Sequence, residues 1–135
     1  MIKYTDSLEG IRQENLQGFF VGWPNPPSPS KHLEILQKAN YVILAVETDT
    51  NRVIGFINAI SDKVLTAYIP LLEVHPEYHC KRIGEELVSR MLLKLKDYYI
   101  IDVCVRKGHQ SFYKKFGMQK CTAVVIRNFS KQAGI

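Results

Sequence analysis

The sequence predicts an α+β fold: a mixed, mostly antiparallel central sheet flanked by helices, with one βαβ unit and a splayed strand pair. Three observations predict it. The β-prone apolar runs Tyr41–Val46 and Val53–Ile60 flank the polar turn Asp49-Thr50-Asn51, which is the pattern of an antiparallel hairpin. A third run, Val64 to Val74, carries Pro70 in its middle, and a proline without an N–H sits only at an edge or bulge, so this strand bends or splays there. The run then breaks at Pro76, and a helix follows with Ile83, Leu87, Met91 and Leu95 at four-residue intervals. With Ile100–Val105 as the next strand, the unit is strand, turn, helix, strand, so its strands are expected to be parallel with a right-handed crossover.

The other elements follow in order. Arg12 to Phe20 reads as a short helix turning Leu16, Phe19 and Phe20 inward. The segment Gly22 to Ser30 holds four of the six prolines and reads as a stiff connection. Ser28 is a plausible N-cap with Pro29 in the first helical position, opening a helix that buries Leu33, Leu36 and Ile35 and ends near Asn40. Within the main helix, Glu85 and Glu86 in the first turn and Lys94 and Lys96 in the last suit the helix dipole, and Glu86, Arg90 and Lys94 can pair at four-residue spacing. His109 to Phe116 is a short helix presenting Phe112, Tyr113 and Phe116, closed by Gly117. Thr122 to Arg127 is read as a last strand, and Cys104 and Cys121 as core residues on strands.

Length and composition bound the function. A chain of 135 residues with no internal repeat reads as one domain, residues 1–135, able to bury a core without disulfides or metal. Hydrophobic residues at 46% and charged residues at 23% are ordinary for a soluble protein. No apolar run approaches the roughly 20 residues of a membrane span, and the N-terminus lacks a signal-peptide core, so a cytoplasmic location is expected. Three cysteines without CxxC spacing fit free thiols in a reducing compartment. The net charge of +5 comes from scattered residues rather than a basic run, which favours a mildly basic enzyme over a nucleic-acid binder. His75, His79 and Cys80 match no common zinc spacing, and no metal is expected.

The segment Leu71 to Val88 carries the chemistry. A strand ending in a turn with Lys81 and Arg82, followed at once by a helix, aims free backbone N–H groups and the positive end of a helix dipole at one point. Phosphate and pyrophosphate bind at such points.

These residues resemble the GNAT superfamily of acyl-CoA-dependent N-acyltransferases. Leu72-Glu73-Val74-His75-Pro76-Glu77-Tyr78 is similar to the family's central strand and its exit. His79-Cys80-Lys81-Arg82-Ile83-Gly84 falls where the family carries Gln/Arg-x-x-Gly-x-Gly/Ala, and Ser111 to Met118 resembles the later Phe-Tyr-x-x-x-Gly-Phe element. The resemblance covers most of residues 41 to 128. It implies acetyl-CoA as cosubstrate, with the Leu72 and Val74 backbone on the pantetheine arm and His79, Cys80, Lys81, Arg82, Ile83 and Gly84 around the pyrophosphate. The implied reaction is direct attack of a primary amine, on a small molecule or peptide, at the thioester carbonyl. Glu73 is then the candidate base, or an ordinary solvent-facing carboxylate. Tyr113 is the candidate acid for the departing thiolate, or a packed aromatic. Trp23, with Phe19 and Phe20, belongs to the acceptor pocket or anchors a stiff loop.

The chain departs from the pattern at Arg82, which replaces the first loop glycine, and at His79. Arg82 fits if its φ is negative and its guanidinium reaches phosphate; otherwise it partly blocks the loop, and the chain is a non-catalytic CoA- or protein-binding module of the same fold. An exposed edge strand would allow a homodimer.

Overall fold

The computed structural model describes residues 1–79 and 81–135. Strands β1 (Ile2–Thr5), β2 (Tyr41–Glu47), β3 (Arg52–Ser61), β4 (Thr66–Ile69), β5 (Leu72–Val74) and β6 (Ile100–Val103) are joined by helices α1 (Pro29–Lys38), α2 (Ile83–Leu95) and α3 (Gln110–Lys114). The sheet runs β1-β2-β3-β4-β6, and β5 pairs with β3. All pairs are antiparallel except β4 with β6, which is parallel, as the strand-turn-helix-strand reading requires. The α+β class, the hairpin of β2 and β3, and the splay follow the sequence expectation. No helix of the described residues is long and apolar enough to cross a membrane.

The central strands are apolar on both faces because both faces are covered. Ile43, Ala45, Ile54 and Ile57 pack toward α2, while Leu44, Val46, Val53 and Phe56 pack toward Leu16, Phe20 and Leu36. Helix α2 buries Ile83, Leu87, Val88, Met91 and Leu95, each at most 2% exposed. Gly55 sets its approach: a Cβ there would lie 3.2 Å from Leu87 Cδ1 and 3.3 Å from Ile83 Cγ2. Lys94 meets Asp6 at 2.6 Å and Arg90 meets Glu86 at 2.7 Å, so one expected helix pair forms and the other goes to the turn after β1. The short strand β1 is absent from the sequence expectation, because four residues carry no periodic signal.

Ser28 caps α1 through the Lys31 N–H at 3.1 Å, with Pro29 in the first turn, as expected. The helix expected over Arg12 to Phe20 is a single 3-10 turn, Gln13–Leu16. Gly18 at φ +86° and Phe20 at φ +62° turn the chain out of helical geometry, and the N–H groups of Phe20 and Val21 go to Glu73 instead of a helix. The expected strand Thr122 to Arg127 forms no ladder with any described strand, and Val124 and Ile126 stand 97% and 84% exposed. Cys104 and Cys121 are exposed rather than core. The first lies just past the last residue of β6, and the second lies in the unladdered segment, so neither is covered by a neighbouring strand.

His32 is a buried polar residue that no pattern in the sequence marks. It is 1% exposed, wedged against Phe20 and Phe56 at ring separations of 4.9 and 4.4 Å, and neither ring nitrogen has a partner among the described residues. Burial lowers its pKa from 6.5 to about 4. The folded state therefore holds it neutral, while the unfolded chain takes up a proton once the pH falls below 6.5. Its stability contribution is whole above pH 6.5 and is lost progressively down to about pH 4. The full loss is on the order of 3 kcal/mol, at 1.36 kcal/mol per unit. His75, also lowered by burial and by Arg52, adds to the same trend. Replacing His32 with Leu should leave the fold intact and flatten the fall in melting temperature across that window; an unchanged pH profile would show that His32 does not set it.

Candidate functional site

The site begins with one irregularity. The parallel ladder of β4 and β6 ends at Ile69 opposite Val103. Pro70 follows and has no N–H to donate. After it, β5 pairs only with β3, through Gly55 with Val74, Phe56 with Glu73 and Ile57 with Leu72. The sheet thus opens between β5 and the continuation of β6, leaving a cleft of about 1070 Å³ with Leu72, Glu73 and Val74 on one wall and Val103, Cys104 and Val105 on the other.

The open wall presents backbone. The Leu71 carbonyl accepts from Asn58 N–H at 3.2 Å, and His75 N–H donates to the Ile54 carbonyl at 2.8 Å, so the odd-numbered residues face β3. By the alternation of an antiparallel ladder, the N–H and C=O groups of Leu72 and Val74 face the cleft. His79 bears this out, reaching the Val74 carbonyl through Nε2 at 3.0 Å. That contact also ties the turn to the strand, a role no sequence pattern indicated.

The N-terminus of α2 lies at the rim. Its N-cap, Arg82, makes no side-chain cap bond and sits at φ +59°, ψ +20°. The negative φ that was the condition for Arg82 to fit is thus not found: the turn takes the left-handed conformation that glycine adopts without cost, and arginine adopts it at about 1 kcal/mol. Arg82 and Lys81 are exposed, whereas the Ile83 side chain is buried in the core and offers only its backbone. At Gly84 a Cβ would lie 3.8 Å from Phe112 Cζ and 3.9 Å from Val74 Cγ2, an ordinary contact. The protein alone therefore does not demand glycine there, and the position lies against Val74 of β5. Lys115 meets Glu85 in the first turn at 3.3 Å and lies over the Phe112 ring. Cys80 lies outside the described residues.

Glu73 is half-buried, and its carboxylate is held by backbone. One carboxylate oxygen accepts the Phe20 N–H at 2.8 Å and the other the Val21 N–H at 3.1 Å. It thereby holds the loop carrying Phe20 and Trp23 against the cleft, and Trp23 packs on Phe20 at 4.9 Å. Beneath it, Phe19 stacks on the buried His75 at 4.3 Å and 21°. Gly18 permits this approach, since a Cβ there would fall 2.8 Å from His75 Cε1. The packing role of His75 depends on contacts across the chain that spacing does not encode.

Tyr113 reaches the cleft from the other side. It is 7% exposed, burial raises its pKa, and it lines the cleft beside Phe112. Arg106, Lys115 and Arg127 also line the cleft, and Glu73 is the one carboxylate among the described lining residues. The structure thus gathers Leu72, Glu73, Val74, His79 and Tyr113 around one opening, with Gly84 at its edge and Lys81 and Arg82 outside it. A cationic, partly apolar cleft beside a helix N-terminus suits an elongated anionic ligand.

Comparison with known proteins agrees with this architecture. Residues 8–118 match the family model described as Acetyltransferase (GNAT) family. A curated relative, the uncharacterized N-acetyltransferase ycf52 of Pyropia yezoensis, is 26% identical over 103 residues, and the match spans 74% of this chain and 59% of that protein. The crystal structure of a candidate acetyltransferase from Deinococcus radiodurans R1 superposes with a TM-score of 0.96 at 41% identity, covering 99% of this chain and 93% of that one. At 15% identity, AAC(6')-Iy in complex with a CoA-linked bisubstrate analog shares the fold, with a TM-score of 0.65 over 95% of this chain and 97% of its own. The match to the family model, over most of the chain, assigns the protein to the GNAT family of acetyltransferases.

Proposed function

We propose that this protein transfers an acetyl group from acetyl-CoA to a primary amine of a small molecule or peptide. The observation that carries the reading is the pair of unladdered backbone positions, Leu72 and Val74, opening toward the cleft beside the N-terminus of α2. A pantetheine arm is a flexible chain with two amides, and it can pair with β5 in place of the strand that has splayed away. Its pyrophosphate then meets the first N–H groups of α2 around Ile83 and Gly84, with Lys81 and Arg82 adding charge. The AAC(6')-Iy complex, in which a protein of this fold holds a CoA-linked analog, supports CoA as the ligand.

In the proposed reaction the amine nitrogen attacks the thioester carbonyl, whose oxygen is polarised by the Val74 N–H. The C–N bond forms, the C–S bond breaks, and the Tyr113 phenol donates its proton to the departing thiolate. Burial raises the Tyr113 pKa, which keeps it protonated and available as an acid. The amine's proton passes to Glu73, each of whose oxygens accepts one backbone N–H and keeps a lone pair free, directly or through water. Arg82 favours a second reading, a non-catalytic CoA-binding module, because an arginine in left-handed geometry stands where the phosphate must approach.

Calorimetric titration with acetyl-CoA, followed by free-thiol release with a panel of amines, tests both readings. Saturable binding with amine-dependent thiol release supports the enzyme; binding without release selects the non-catalytic module; no binding at millimolar ligand sinks both. Replacing Tyr113 with Phe should lower kcat by about 100-fold with little change in acetyl-CoA affinity. Glu73→Gln should lower kcat by a similar factor, whereas a rise confined to the acceptor KM would make Glu73 a loop anchor only. Arg82→Gly should raise the unfolding free energy by up to about 1 kcal/mol, less what glycine gains in the unfolded chain. If the guanidinium meets phosphate, the same variant binds acetyl-CoA more weakly.

A further inference from the structure

His32, Asn58 and His75 are the buried polar side chains among the described residues. Asn58 is explained, since its side-chain oxygen accepts the Leu71 N–H at 3.1 Å and fastens the chain just past Pro70. The two histidines are not. Neither ring nitrogen of His32 has a partner among the described residues, nor has Nε2 of His75. The acetyl-transfer steps use neither ring, and buried polar groups are rarely left unmatched without a reason.

What the two share is Phe19. Its ring stacks on His75 at 4.3 Å and meets His32 edge-on at 5.3 Å, so it touches both imidazoles. Phe20 follows, with its own ring against His32 at 4.9 Å. Gly18 and Gly22 stand at φ +86° and +84°, with Phe20 between them at +62°. The Phe20 and Val21 N–H groups leave the loop for Glu73. A left-handed phenylalanine persists only where its surroundings over-determine it. Here those surroundings are rings, two of them imidazoles. Phe20 also lines two openings, the cleft and a cavity of about 250 Å³ that His32 shares.

We infer that His32 and His75 are positioning residues of this loop: as neutral rings they hold Phe19 and Phe20 beside the cleft, and protonation releases the loop while the rest of the fold stays intact. An imidazolium among these rings is a buried charge without an acceptor. Once the loop lifts, water solvates it, so proton uptake and release are one equilibrium. No charged neighbour acts on His32, whose pKa burial alone lowers to about 4, and Lys31 and Glu34 of its own helix pair with each other at 2.7 Å. For His75, burial and then Arg52 disfavour the charged form, against Glu77, Glu73 and the Gln17 backbone. Arg52 is itself paired with Glu77 at 2.7 Å. The closed loop is therefore whole above pH 6.5 and gives way below it. Through His32 alone the open-to-closed ratio rises about tenfold per pH unit from 6.5 down towards about 4. Glu73 faces the same loop, and its protonation would also free the Phe20 and Val21 amides, so a test has to separate carboxylate from imidazole.

The inference rests on the acetyl-transfer reading only in taking this loop as a wall of the acceptor pocket, and its release is read without turnover. Trp23, the only tryptophan, packs on Phe20 and reports the loop. As the pH falls below 6.5, its emission should move to longer wavelength and its quenching by acrylamide should rise, before the far-ultraviolet circular dichroism changes. His32→Leu with His75→Phe keeps apolar contacts to Phe19 and removes both titrating rings, so its emission should hold steady over the same range. At about pH 5 the wild type's acceptor KM should exceed the double variant's by about tenfold, with equal acetyl-CoA affinity in the two. Emission that stays put until the circular dichroism falls overturns the inference. So does a transition equally present in the double variant, which would belong to Glu73. An emission shift that the double variant lacks, in a chain that transfers no acetyl group, upholds the loop's release and overturns the acetyl-transfer reading alone. If the double variant does not fold, the His32 and His75 ring resonances of the wild-type chain decide: titration in step with the Trp23 emission upholds the inference, and titration out of step overturns it.

Discussion

Everything distinctive in this molecule depends on the exchange of partners along β3. Over Ile60 and Ser61 its free edge pairs with β4, and over Gly55 to Ile57 it pairs with β5. Pro70 lies between the two, where a missing N–H forbids a continuous strand. Because β6 follows β4 and not β5, the sheet opens at that point, and a half-buried strand is left with one row of backbone groups unmatched. Unmatched backbone next to a core costs free energy unless water or a ligand satisfies it. The opening is thus both a defect in the sheet and the feature that lets a polar, extended ligand add to it.

Two further constraints keep the opening in shape. On one side Gly55 lets α2 come within contact of β3, so the helix N-terminus falls beside β5. On the other, Glu73 converts a strand residue into a clamp for the Phe20–Val21 amides, and His75 stacks under the same loop. The loop lacks a helix's own hydrogen bonds and borrows its order from β5. Changes to the strand and changes to the loop therefore act on one unit, which is why a substitution at Glu73 has to be read by separating turnover from acceptor binding.

Much of this was legible in the sequence because local signals agreed with the global fold. The Ser28-Pro29 cap, the four-residue period of α2, the polar turn between β2 and β3 and the proline break each have a local physical cause, and each appears where it was expected. What escaped were long-range effects. Leu16, Phe19 and Phe20 have helical spacing, but Glu73, more than 50 residues away, takes the amides a helix would need. His32 is polar by type and buried by context. At the site, the backbone role of Leu72 and Val74 could be anticipated from the family pattern, whereas the His79 bond to the Val74 carbonyl could not.

Arg82 and the run after Gly117 each break a local rule with no gain visible inside the chain. An arginine at φ +59° is strained, and a β-branched run in solvent is uncovered. Violations of this kind persist at functional sites, where a ligand or partner supplies the missing term. For Arg82 the missing term would be an anion at the start of α2, since a guanidinium beside open backbone N–H groups adds attraction where the turn has lost flexibility. The break at Pro70 thus exposes the backbone of β5 and generates the demand for a ligand beside the start of α2.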